Sequence, residues 1–193
     1  QIEGWSFSPD ASPDQYADAQ KLIEVSAWGP TSFGATHSQF SNAVNLVVTA
    51  TDAPDLSATT DLSHAFYGAA SFDHDLSGWD VSNVGNMTNM LVGTALSFEN
   101  YSAALQGWAA LGSLQNGVTL DADAMYLSSA ETSRQSLIDT YGWTITDGGL
   151  AGEGGITIGN PDAPPGFALS PSSFDLQVGS GNTEETVTVD PDT

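Results

Sequence analysis

The chain has 193 residues, 40% of them hydrophobic, enough for one sizeable core rather than a disordered tail. Charged residues are scarce at 13% and one-sided: 24 Asp and Glu against 2 Lys and Arg give a formal net charge of −22. Lys21 and Arg134 alone cannot build the clustered cationic surface that nucleic acid or anionic lipid needs, so neither partner is expected, and an acidic surface that repels itself fits a saline or calcium-rich exterior.

The chain opens on Gln1-Ile2-Glu3-Gly4-Trp5, with neither the basic start nor the apolar block of a signal peptide, and reads as a piece of a longer mature protein. Ile2, Trp5 and Phe7 predict a strand that pairs with the first turn and caps it, broken by Ser8-Pro9-Asp10-Ala11-Ser12-Pro13-Asp14. Internal similarity then sets in. Asp55-Leu56-Ser57 aligns with Asp80-Val81-Ser82, and Leu62, Phe66 and Gly68 align with Met87, Leu91 and Gly93, all 25 residues apart. Phe40 precedes Phe66, and Ala43 precedes Ala69, by 26. Phe72, Leu76 and Gly78-Trp79 recur with insertions as Phe98, Leu105 and Gly107-Trp108. A period near 25 falls in the leucine-rich-repeat range, in which each turn supplies a short strand and a return segment and stacking buries the apolar positions. On this reading Leu56 and Val81 point inward from the strand, and Leu62, Met87, Phe66 and Leu91 fill the return side.

The stretch Phe72-Asp-His-Asp-Leu-Ser-Gly-Trp-Asp-Val-Ser-Asn-Val-Gly-Asn-Met-Thr-Asn-Met90 resembles the repeat of the BspA-like leucine-rich-repeat bacterial surface proteins, departing from it at His74, Gly85 and Leu91. Lys21 to Gly29 is similar to the segment that opens such arrays, Asn45 to Leu56 to a degenerate first repeat, and Trp108 to Gly149 to the closing module. The resemblance implies an α/β leucine-rich-repeat solenoid over 1–149, of about four to five short turns with irregular or short helical returns, an N-terminal cap strand and a C-terminal cap helix. That last helix also reads from local rules: Ser128 and Glu131 form a capping box, Leu137, Ile138 and Tyr141 follow at helical spacing, Gly142 stops it, and Trp143-Thr-Ile-Thr146 alternates as a strand. Arg134 on the helix is expected to pair with Glu131 or Asp139. A Gly/Pro linker spans 150–165. Phe167 to Ser170, Ser173 to Val178 and Thr186 to Val189 then read as three strands of a small all-β, immunoglobulin-like fragment over 166–193.

Motifs for chemistry are thin. The chain has no Cys, which removes thiol catalysis, disulfide scaffolds and Cys-based zinc sites. No apolar run approaches the roughly 20 residues of a membrane span, so no membrane insertion is expected. His37, His64 and His74 form no zinc motif, and no nucleophile elbow or phosphate loop is present, so no catalytic residue is assigned. No cofactor is required. Calcium is the ion that the carboxylate pairs Asp73/Asp75 and Asp121/Asp123 would suit, against chance pairing among so many acids. If Leu56 and Val81 point in, then Asp55, Ser57, Asp80 and Ser82 point out as a polar ladder on the concave sheet, flanked by His64 or Tyr67. Asp and Ser that merely bond turn amides are the competing reading of that ladder. Phe33, His37 and Tyr101 mark the alternative binding loops. The role the resemblance implies is a non-enzymatic extracellular module of a bacterial surface adhesin, binding protein, peptide or glycan on a host or neighbouring cell. A structural spacer, or an accessory domain of a carbohydrate-active enzyme, is the alternative.

Overall fold

The computed structural model describes residues 18–34 and 37–152. The chain divides into two units, 1–155 and 156–193. The strand expected around Ile2, Trp5 and Phe7, and the three strands expected between Phe167 and Val189, lie outside the described residues.

The elements in chain order are β1 (Glu24–Val25), β2 (Val47–Val48), β3 (Met87–Leu91), α1 (Phe98–Ala110), β4 (Thr119–Ala122), a 3-10 turn (Ser128–Ala130), α2 (Glu131–Tyr141) and β5 (Thr144–Thr146). β1 and β2 pair in parallel, and β3, β4 and β5 form a parallel sheet in that order. Backbone bonds continue this sheet upstream. Leu62, His64, Phe66 and Gly68 donate to the carbonyls of Asn86, Thr88, Met90 and Val92 at 2.8–3.0 Å, and Ser38, Phe40 and Asn42 donate to those of Ser63, Ala65 and Tyr67 at 2.7–3.0 Å. Segments 38–42, 62–68, 86–92, 119–122 and 144–146 therefore lie side by side as one parallel ladder, each reached by a turn of chain.

The ladder does not run where the strand positions were expected. Leu56 and Val81 are buried, but they sit among turns; the parallel segments carry Leu62, Phe66, Met87 and Leu91, the positions assigned to the return. Strand and return are exchanged while the repeat offsets hold. The physical reason is a left-handed kink in each of the first three rungs. Ser38, His64 and Asn89 have φ of 64°, 57° and 54°, and four residues on Asn42, Gly68 and Gly93 have φ of 60°, 69° and 75°. Each such residue breaks the two-residue alternation that identifies a strand. Asn42 opens the second column, and glycine follows where the adjoining rung crowds it: a Cβ on Gly93 would stand 3.1 Å from the Cα of Gly68, and one on Gly68 2.8 Å from Asn42 Oδ1.

The core lies behind the ladder. Phe40 stacks on Phe66 (centroids 5.1 Å apart) and Phe66 on Phe72 (4.0 Å), with Trp28, Phe33 and Trp79 packed edge-on around them. The insertion after Gly93 is a helix the repeat alignment did not anticipate. Ser97 caps α1 by accepting from the Asn100 N–H, and Tyr101, Ala104, Leu105 and Trp108 form its buried face. Leu105 and Trp108 are buried as Leu76 and Trp79 are, but Phe98 is not the counterpart of Phe72: it is 44% exposed at the helix start, and Tyr101 goes inside instead. Gly107 lets the helix close on the preceding coil, since a Cβ there would lie 2.3 Å from the Ser77 carbonyl. Trp108 Nε1 donates to the Leu76 carbonyl at 3.1 Å across the same contact.

The closing segment has the expected helix and strand, with two corrections. Ser128 opens a 3-10 turn, and no side chain caps that turn or α2, so the capping box is not formed. Arg134 pairs with neither Glu131 nor Asp139; its partner is Asp147 at 2.8 Å, while Gln135 bonds Asp139. Gly142, at φ 66°, ends α2 as expected.

Candidate functional site

The Asp/Ser positions form turns. Asp55 Oδ1 accepts the Ser57 N–H at 3.0 Å, and Asp80 Oδ1 accepts the Ser82 N–H at 3.1 Å. The same aspartate-to-second-amide bond recurs at Asp61/Ser63 and Asp75/Ser77. The Ser57 and Ser82 groups hold the Asp55 and Asp80 carboxyls below the usual value of 3.8. These carboxylates lie along a column of turns: Asn83 Nδ2 donates to the Ser57 carbonyl and Gln115 Nε2 to that of Ser82. Asp55, Ser57, Asp80 and Ser82 are thus not on the ladder face, because the strand lies elsewhere in each coil.

The ladder's outer face gathers a different set. The His64 and Tyr67 rings meet edge to face at 5.6 Å, and the Asn89 amide lies 3.1 Å from His64 Nε2 on the next rung. Tyr67 is 36% exposed. One rung up, His37 Nδ1 is 2.9 Å from Ser38 Oγ. Asp61 bridges two rungs, accepting from the Ser63 N–H at 2.7 Å and Asn86 Nδ2 at 3.3 Å. Burial pushes its carboxyl up, but bonds from Ser63 and Asn86 and the nearby His37 outweigh it and hold it low. Beyond Asn89 the pairing changes: Met87 and Leu91, four residues apart, pair with Leu120 and Ala122, two apart. The shorter strand cannot offer a carbonyl to every amide of the kinked rung. Side chains fill the gap, Asp121 Oδ2 accepting the Asn89 N–H at 2.9 Å and Asp123 Oδ2 the Gly93 N–H at 2.8 Å. Of the residues singled out for binding, His64 and Tyr67 come together and His37 stands on the adjoining rung. Asn89 and Asp61 were missed, although each occupies a repeat-equivalent position.

Phe33 and Tyr101, expected in binding loops, are both fully buried. Phe33 belongs to the aromatic core. The Tyr101 hydroxyl donates to Asp147 Oδ2 at 2.9 Å. Burial first, and the Asp147 carboxylate second, push the Tyr101 hydroxyl well above 10. Arg134 completes this cluster, 5.1 Å above the Tyr126 ring.

The carboxylates considered for calcium do not converge. Asp73 Oδ1 accepts from the N–H and Oγ of Ser97 and from Asn100 Nδ2, Asp75 turns on Ser77, and Asp121 and Asp123 bond the ladder amides. Among the described residues no group of three or more His, Asp or Glu is placed to hold a metal. His74 borders a cleft of about 450 Å³ with Asp52, Asp75 and Trp79. Burial lowers the His74 pKa more than Asp75 and the Val48 carbonyl raise it. Both oxygens of Asp52 are already engaged, by the Trp28 and Gly29 amides at 2.9 and 2.7 Å.

The family described as Mycoplasma protein of unknown function, DUF285, matches residues 15–112. The chain belongs to this family. The DUF285 match takes in the first three rungs of the ladder, with His37, Asp61, His64, Tyr67 and Asn89, and stops before β4. No curated protein and no solved structure matches the chain.

Proposed function

We propose that this chain supplies a non-enzymatic binding module to a larger bacterial surface protein of the BspA-like leucine-rich-repeat kind, an extracellular adhesin that recognises a protein, peptide or glycan. The stacked turns are read as a short leucine-rich-repeat solenoid, and the offsets of 25 and 26 residues with parallel pairing support that reading. The observation that carries the binding role is the open ladder face. His64, Tyr67 and Asn89 are set across adjacent rungs by left-handed backbone and by contacts with one another, so little ordering is left to accompany a ligand.

Peptide and glycan arrays probed with the intact chain, and with Tyr67→Ser and His64→Gly, test the proposal. Reproducible signals that both variants lose are the expected result. Signals that both variants keep would move binding off this face. Silence across the arrays would favour a spacer without a ligand.

A further inference from the structure

We infer that the ladder face takes an extended basic peptide, bearing Lys or Arg, in preference to a neutral glycan. This rests on the binding role proposed above and names its ligand class.

The chain has two strong cations, and both are committed: Lys21 to Asp18 at 2.6 Å, and Arg134 to Asp147 at 2.8 Å. No Lys or Arg of the chain remains to neutralise the carboxylates beside the ladder, so a complementary cation has to come from a partner.

The ladder supplies groups that hold one. Asp121 and Asp123 each use a single oxygen on a ladder amide, which fixes the carboxylate and leaves the second oxygen without a partner among the described residues. Tyr67 offers a part-exposed ring two rungs away, braced by His64. The chain already joins these two kinds of group around a guanidinium. Arg134 lies between the Asp147 carboxylate and the Tyr126 ring, where charge pairing and the ring quadrupole act together. The ladder face presents a carboxylate and a ring as well, set two rungs apart and without a cation of the chain. Two rungs are roughly 10 Å, a span an extended peptide covers in about three residues. One basic side chain over Tyr67 and a second on Asp123 fit that spacing. A neutral sugar would leave the free carboxylate oxygens without a countercharge.

The test uses the intact chain and two labelled Gly/Ser peptides, one carrying several arginines and one with citrulline in their place, alongside neutral oligosaccharides. Binding is read by anisotropy at low and at seawater-like salt, with thermal melts confirming that each variant is folded. Asp123→Asn keeps an oxygen for the Gly93 amide and removes the charge. It and Tyr67→Ser should each weaken the arginine peptide about tenfold. Glu131→Gln with Asp139→Asn, on the exposed side of α2, should change it less than about twofold. Equal binding of the citrulline peptide, or equal loss in the α2 double variant, would overturn the inference and leave only general attraction to an acidic protein. An oligosaccharide that binds through Tyr67 while the arginine peptide does not would overturn it and leave the binding role standing. No binding by any of these probes, with silent arrays, would overturn both.

Discussion

The coils from 38 to 93 and the closing segment from 98 to 151 both stack a turn of chain on the one before, with different bonds. In the coils, backbone meets backbone at every second residue, and the register is set by two columns of left-handed residues. In the closing segment the spacing lengthens, a helix intervenes, and side chains supplement the backbone pairing of β4 and β5: Asp121 and Asp123 on ladder amides, Gln115 and Trp143 across the turns, and Asp147 tying Tyr101 to Arg134. A repeating backbone spreads stability over many equivalent bonds, as expected of stacked repeats. A segment that adds a few side-chain ties to a short backbone ladder concentrates more of it in single residues, so single substitutions separate the two regions.

The largest effect is expected at the coil core. Val81→Asp places an unpaired charge in a fully buried site and should cost about 4 kcal/mol or more, read as loss of the cooperative thermal transition. Gly107→Ala attacks the joint between the regions. Its methyl meets the Ser77 backbone, and a loss of about 3 kcal/mol is expected by chemical denaturation. Asp147→Asn should cost roughly 2 kcal/mol, since Arg134 and the buried Tyr101 lose a shared acceptor charge while part of the site remains wet. Amide exchange should then quicken in α2 and β5 before it does in 62–68; uniform quickening would argue against a separate closing unit. Gly93→Ala should cost about 1–2 kcal/mol for its left-handed φ and its contact with Gly68, whereas Gly85→Ala, with φ outside that region and 3.8 Å of clearance, should stay within about 0.5 kcal/mol.

Acid gives the smallest and most graded separation. Amides and hydroxyls hold the Asp52, Asp55 and Asp80 carboxyls low; at Asp61 and Asp73 burial opposes this, and the hydrogen bonds prevail. A carboxyl whose pKa is lower in the folded chain stabilises it above the ordinary unfolded value of 3.8, and loses that contribution as pH falls through the lower folded value. All five lie between 52 and 80. Exchange protection in those coils should therefore decline below about pH 4. Unchanged protection there at about pH 3 would mean that the turn carboxylates contribute nothing net.

The repeat offsets were legible because chemically similar residues recur at fixed steps: Phe40 and Phe66, Gly68 and Gly93, Leu62 and Met87. The phase within each repeat was not. Strand recognition relies on alternation, and His64 and Asn89 at positive φ put two inward residues next to each other, as at Ala65-Phe66 and Met90-Leu91. α1 was hidden by the same repeats, because Leu105 and Trp108 satisfied an alignment to Leu76 and Trp79 while also sitting on one helix face. Ser97 and the run Ala103-Ala104-Leu105 carried the missed helix signal. Arg134's partner lay thirteen residues downstream, beyond any helical spacing rule, and only the return of the chain as β5 brings Asp147 to it. Of the site, His64 and Tyr67 were legible as flanks of the Asp/Ser positions, and Asp121 and Asp123 as a carboxylate pair suited to calcium; Asp61, Asn89 and the ladder role of those aspartates needed the true strand phase.

The paired left-handed columns also limit how such a chain can change its length. Within a rung the two kinks are four residues apart, and each faces its counterpart on the next rung. Losing or gaining one codon between positions 64 and 68 would throw both columns out of step with the rungs above and below. Additions are tolerable outside the kinked stretch, as with the helix between Gly93 and Thr119, or as an entire coil. Genetic variation in this domain should therefore come as whole coils or as inserts between rungs, with the four-residue interval left intact.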